Sequence, residues 1–264
     1  MAVLEDTIKR LLIKNTPDSI LQCIKKAHYL RTLKKITEEK EPDLSVIRYL
    51  VAPGDSVVDI GANIGIYTKY LSALVGTKGR VVSIEPVSFT FDILKSNFKK
   101  LHIQNIDFIN AAMSDTEGQA IMEVPLYKSG GENFYEAHIV ALKTTRSLRR
   151  LEVKTKTLDS LFSRLPERLS FIKCDVEGHE FECIKGALGV INASKPAWLI
   201  EISQNPDEAT TKAYQVFSLL KSLGYSAFWF DGKKLNKRNS GDRSINYFFL
   251  MEKHLTILQN NSLI

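Results

Sequence analysis

The chain has 264 residues, 44% of them hydrophobic and 25% charged, which is ordinary globular usage and enough to bury a core without disulfide staples. Three cysteines with no C-x-x-C pair suit a reducing compartment. No stretch approaches the roughly 20 apolar residues of a membrane span, so a cytoplasmic protein is expected. The net charge of +6 gathers in residues 143–156 and 233–243, which read as solvated loops or as contacts for a phosphate, a nucleotide-sugar or nucleic acid.

Residues 1–50 read as a helical segment packed on a core that occupies residues 51–264. Leu4, Ile8, Leu11 and Leu12 fall near helical spacing, as do Ile20, Ile24 and Ala27, with Pro17 between the groups. Pro42 and Asp43 open another helix through Leu50, which Pro53, Gly54 and Asp55 end in a turn. The pattern then alternates. Strands are expected at 56–60, 80–85 and 106–110, with helices at 64–75 and 88–101 between them. This is the sequence form of a parallel α/β sheet.

An excursion follows at 119–156, with extended pieces at 119–126 and 150–156. Its tip around Ser129, Gly130 and Gly131 reads as variable. Thr157 caps a short helix into Phe162, and 169–175 is a buried strand. A helix at 181–187, a strand at 198–203 and a helix at 207–223 come next. Strands at 226–230 and 245–251, joined by the basic loop, suggest an antiparallel strand near the sheet edge. The expected fold is a Rossmann-like, doubly wound α/β sheet of seven strands, mostly parallel, with N-terminal helices.

The stretch VVDIGANIGIYT, residues 57–68, holds the most chemistry. A strand ends at Asp59 and Ile60, and Gly61, Ala62, Asn63, Ile64 and Gly65 form the turn into a helix. Such a turn sits where ligands bind in a doubly wound sheet, and its helix N-terminus favours an anion. The dinucleotide fingerprint needs glycines where Asn63 and Ile66 stand, and no G-K-[ST] follows for a P-loop. The pattern D-x-G-x-N-x-G resembles instead motif I of class I methyltransferases, whose loop holds the methionine portion of S-adenosylmethionine and whose acid, here Asp59, supports the site near the ammonium. Glu85, followed by Pro86, lies 24 positions after Gly61, a spacing suited to a carboxylate that accepts ribose hydroxyls. Asn110, Ala111, Ala112, Met113 and Ser114 follow strand three, where small residues leave room for adenine and Asn110 or Ser114 can bond it.

With SIEP and FIKCDVEGHEFECIKGA, these pieces occur in the order of the FkbM family of methyltransferases, over about residues 44–252, and the chain is similar to that family. The resemblance implies O-methylation of a hydroxyl, often on a sugar, a glycolipid or a polyketide-like acceptor, with S-adenosylhomocysteine as product. It leaves the acceptor and the oligomeric state open.

Asp175, Val176, Glu177, Gly178, His179 and Glu180 emerge at the ligand edge of the fourth strand. A hydroxyl nucleophile calls for a general base. His179 titrates in the right range and Asp175 is the alternative, with Glu177 orienting either; Asp175 also borders the cofactor. The ordinary reading makes His179 a solvated residue and Glu177 and Glu180 dipole-compensating acids. Asp175, Glu201 and a water offer oxygen ligands for a divalent metal, yet no ligand spacing marks one and no metal residue is assigned. Two rivals stand beside the small-molecule or glycan acceptor. One is an RNA or other nucleic-acid methyltransferase, motivated by the basic stretches; it lacks an N-P-P-[YF] motif, and Lys173, Asp175, Lys185 and Glu201 are not marked as a ribose-methylation set. The other is a cofactor-binding module without catalysis.

Overall fold

A computed structural model describes residues 18–125, 133, 137–140, 149–162 and 169–264. The first expected helix, the 129–131 tip and residues 143–148 of the first basic stretch lie outside them. Helices α1 (Asp18–Lys34) and α2 (Leu44–Leu50) precede β1 (Ser56–Ile60), α3 (Ile66–Val75), β2 (Arg80–Ile84), α4 (Ser88–Leu101) and β3 (Ile106–Ile109). Next come β4 (Ala112–Met113), β5 (Gly118–Val124), β6 (His138–Val140), β7 (Arg149–Lys156), α5 (Leu158–Phe162) and β8 (Leu169–Cys174). The chain ends with α6 (Glu180–Lys185), α7 (Leu188–Ser194), β9 (Ala197–Glu201), α8 (Lys212–Ser222), β10 (Ser226–Phe230), β11 (Leu235–Lys237), β12 (Asn246–Leu250) and α9 (Glu252–Asn260). Among the described residues no helix is long and apolar enough to cross a membrane.

The main sheet runs β11-β10-β12-β9-β8-β1-β2-β3. From β1 the chain moves one way through β2 and β3 and returns on the other side through β8 and β9, all in parallel. The switch point therefore lies between β1 and β8, where a crevice opens at the strand ends. β12 runs antiparallel between β9 and β10, as the paired ending implies. The sheet has eight strands rather than the expected seven. The basic loop folds back as β11, pairing Phe228–Phe230 with Leu235–Lys237.

Side chains alternate across the strands, so both faces are apolar. Val58, Ile60, Ile84, Ile172, Trp198, Ile200 and Tyr247 bury against α5 to α8. Val57, Val81, Phe171, Leu199 and Phe248 face the other way, toward α2, α3 and α9. The strand pattern does not announce α9, but its Leu258 is fully buried under that second face. The helix expected at 207–223 begins five residues late. Thr211 Oγ1 caps it by accepting from Tyr214 N at 3.1 Å, and Asp207 instead accepts from Gly241 N and Arg243 Nη1, both at 2.9 Å.

The excursion is a second sheet, β4-β7-β5-β6. Its core is the antiparallel β5–β7 pair, with Gly118 opposite Thr155 and Val124 opposite Arg149. Met122, Val124, Ala137 and Val153 bury its inner face against Val87 and Ala112.

Gly65 adopts φ +98°, and a Cβ there would lie 2.4 Å from Phe98 and 2.8 Å from Leu94. The sequence suggests that this glycine lets the helix approach the strand; its bare side faces α4. Gly65→Ala should cost about 2 kcal/mol or more, from left-handed strain plus displacement of the buried Phe98 ring. Urea unfolding of the two proteins checks this, and equal midpoints would contradict it.

Candidate active site

Parallel register sets three strand ends at one height. Ile60 lies opposite both Ile84 and Cys174. Gly61 N and Ala62 N donate to Ile84 O, and Asp175 N donates to Ile60 O at 3.1 Å. Gly61 has φ +75°, and a Cβ on it would stand 1.7 Å from the Asp175 carbonyl oxygen. Only glycine permits that approach. Asn63 takes φ +52°, a left-handed conformation that asparagine tolerates.

The resulting cleft is lined by Gly61, Asn63, Glu85, Pro86, Asp175 and His179 among others. Ala111, Ala112, Met113 and Val87 form an apolar wall, as the sequence suggests. The second sheet adds Met122, Ala137 and Ile139, which the sequence reading did not place in the site. Met122 falls in the expected extended piece 119–126, whereas Ala137 and Ile139 fall between the two pieces. Ala62 turns into the core with Leu33, Leu94 and Phe98, so it shapes the turn without lining the cleft. Asn110 donates to Glu85 O at 2.8 Å and to Pro86 O at 3.0 Å, so its amide holds the wall's backbone.

Glu85 is buried, and its oxygens accept from Asn63 N at 3.0 Å and Val87 N at 2.9 Å. Burial pushes its carboxyl up to about 7, helped by Asp175 and Asp59 and opposed by those two N–H groups. Asp59 is buried as well. Thr68 Oγ1 donates to its Oδ2 at 2.5 Å, while Oδ1 is sealed with no hydrogen-bond partner. Burial raises the Asp59 carboxyl too, against the pull of Lys173 and Thr68. Asp59 lies outside the lining of the cleft and braces the turn from beneath through Thr68, whereas Glu85 lines the cleft and retains lone pairs for hydroxyl donors. These residues fit S-adenosylmethionine.

Lys173 lies under the strand ends, 5% exposed, with Nζ 2.7 Å from Asp175 Oδ2 and 5.0 Å from the centre of the Tyr67 ring. Burial would neutralise it, but Asp175, Asp59 and Glu201 outweigh that and hold its pKa above the ordinary value. Asp175, Glu177 and Glu201 bring carboxylate oxygens within 4.8 Å of one another. Glu177 is the exposed member and has φ +51°.

His179 does not face open solvent. Its Nε2 is 3.0 Å from Ser114 Oγ and its Nδ1 is 3.5 Å from Glu182 Oε2. Burial holds the imidazole below its usual pKa, against the pull of Glu182. Glu182 also pairs with Lys212 at 2.7 Å. Next to Ser114, Asp115 takes a salt bridge from Lys185 at 2.6 Å. The Lys173, Asp175, Lys185 and Glu201 set is therefore not gathered at one point, because Lys185 turns to Asp115.

The Methyltransferase FkbM domain matches residues 59–227. No curated protein matches the chain. Among solved structures, a methyltransferase FkbM from Methylobacillus flagellatus is 18% identical with a TM-score of 0.47, over 74% of this chain and 43% of that one. This chain thus spans less than half the length of that relative. An S-adenosylmethionine-dependent O-methyltransferase from Thermotoga maritima is 12% identical, with a TM-score of 0.43, over 81% of this chain and 64% of that one. Fibrillarin from Aeropyrum pernix, solved with S-adenosyl-L-methionine, is 13% identical, with a TM-score of 0.45, over 76% of this chain and 67% of that one.

Glu85 generates a pH prediction. A ribose hydroxyl is best accepted by the ionised carboxylate, so affinity for S-adenosylmethionine should weaken as pH falls through about 7. The loss should approach about tenfold per pH unit. The ligand-free protein should behave oppositely. A carboxyl whose folded pKa is raised stabilises the fold when protonated, so this contribution is full below the unfolded value and fades as pH rises to about 7. Calorimetric titration and melting of the native chain and Glu85→Gln across that range check both signs; parallel pH profiles for the two proteins would refute them.

Proposed function

The chain belongs to the FkbM family of S-adenosylmethionine-dependent methyltransferases, and from that premise we propose that it O-methylates a hydroxyl on a sugar, glycolipid or similar small acceptor. The observation that carries this reading is the packing of Gly61 on the Asp175 backbone, which aims the glycine turn, Glu85 and Asp175 at one cleft. When bound, S-adenosylmethionine supplies an electrophilic methyl group. Glu85 would hold its ribose, and Asp59 would support from beneath the turn that meets its methionine portion. Pro86, Val87, Ala112 and Met113 would flank its adenine.

The protein's task is alignment, exclusion of water and removal of one proton. Asp175 is the base in this reading. It borders the cleft, is held through Oδ2 by Lys173, and sits at the strand end nearest the glycine turn. During methyl transfer the Asp175 carboxylate would take up the acceptor's hydroxyl proton. His179 serves as a brace in this reading, its Nε2 held against Ser114 Oγ at 3.0 Å.

Charge at the cleft favours a small acceptor over nucleic acid. Asp175, Glu177 and Glu201 crowd its mouth, which repels phosphate. Several basic side chains are paired elsewhere: Arg150 with Glu123, and Arg238 and Arg243 with Asp207. The free state of Cys23, Cys174 and Cys183 supports a reducing, cytoplasmic setting.

Asp175→Asn should lower kcat by about 10²–10⁴-fold. His179→Gln should keep most of the turnover, with a raised KM for the methyl donor. Both are measured as release of S-adenosylhomocysteine with hydroxylated acceptors. Full turnover in Asp175→Asn would remove Asp175 as the base.

A further inference from the structure

The second basic stretch does not serve the methyl-transfer cleft. Its Lys237 and Arg238 line a separate cavity of about 510 Å³ between α8 and the β10–β11 hairpin, and the two spaces share no lining residue. Hairpin pairing sets Lys237 opposite Phe228, and Arg238 N donates to Ala227 O at 2.9 Å. Lys221 approaches from α8, and Phe217, Tyr225 and Phe249 supply an apolar wall. The Tyr225 hydroxyl is spent on Pro196 O at 2.8 Å, and the Phe217 and Phe249 rings meet edge to face with centres 4.9 Å apart. This wall offers apolar surface rather than donors.

Arg238 is the deep cation. Its side chain is 10% exposed, its Nη2 pairs with Asp207 at 2.6 Å, and its guanidinium lies 5.3 Å from the centre of the Phe217 ring. Its Nε is buried without a hydrogen-bond partner, which ordinary packing rarely leaves. Asp207 is the one acid among the described lining residues, and it is occupied. It also accepts from Gly241 N and Arg243 Nη1, and with Arg238 these donors hold its carboxyl well below the usual carboxylate range. Lys221 and Lys237 are exposed at the cavity, and neither forms an ion pair with a described residue. Lys221 also offsets the dipole in the last turn of α8, but that role needs no cavity beside it.

We propose that this cavity is a second ligand site, which takes a phosphate monoester carried on an aromatic body. Two lysines without counter-charge match a dianion, Arg238 deepens the positive field, and the apolar wall takes the ring. The site stands apart from Asp175 and the methyl donor, so it holds whatever the acceptor is.

The test uses the full chain saturated with S-adenosylhomocysteine, titrated by calorimetry with phenyl phosphate, phenol and inorganic phosphate in turn. Phenyl phosphate should bind about tenfold or more tighter than either of the others. Lys221→Gln and Lys237→Gln should each weaken it by about fivefold, since each removes one of the two facing charges. Ser218 is exposed on α8 and lines the cavity, so Ser218→Trp fills the space while every charge remains, and phenyl phosphate binding should be lost. Phosphate as tight as phenyl phosphate would reduce the site to surface counter-ions, and phenol as tight would reduce it to an apolar patch. Either result overturns the proposal, as does phenyl phosphate binding that survives both lysine substitutions together or Ser218→Trp.

Discussion

The cleft depends on one missing side chain. Gly61 brings the turn after β1 so close to the Asp175 carbonyl that even a methyl group would overlap it. That approach lets β1 and β8 stay paired to their last residues and puts their turns side by side. It also fixes the electrostatics. Asp59 and Glu85 are drawn into one weakly solvated region beside Asp175, whose charge adds to the cost of ionising both. Lys173 is the counter-charge that makes this tolerable. A buried lysine is costly alone, but here three carboxylates hold its proton in place.

The fold was legible where elements announce themselves locally. From 56 to 110 each strand is a short apolar run bounded by turn residues, and each helix carries its own apolar stripe. The fully buried pattern of β1 matches a central parallel strand. Legibility failed where pairing alone makes the element. β4, β6 and β11 have two or three residues and exist because a neighbour supplies hydrogen bonds. The five-residue error at α8 has a similar origin: Asp207 reads as a helix start but is claimed by Arg238, Arg243 and the Gly241 amide.

At the site, residue identity was easier to read than residue employment. Glu85 and Asp175 stood out because strand ends at a switch point face ligand. Gly65 and Asn110 were noticed for the right segment but work on other atoms, a neighbouring helix and a backbone carbonyl pair. Tyr67 left no mark in the pattern. Its ring meets Lys173 only once α3 packs on β8. Spacing arguments see within a motif, whereas contacts between separate elements appear only once the chain has folded.

The Ser114–His179 and Asp115–Lys185 contacts join two loops about 65 to 70 positions apart, one beside the apolar wall and one carrying Asp175. Their consequence is mechanical. The apolar wall and the loop carrying Asp175 are latched to each other outside the sheet, so a shift of one loads the other through two side-chain contacts.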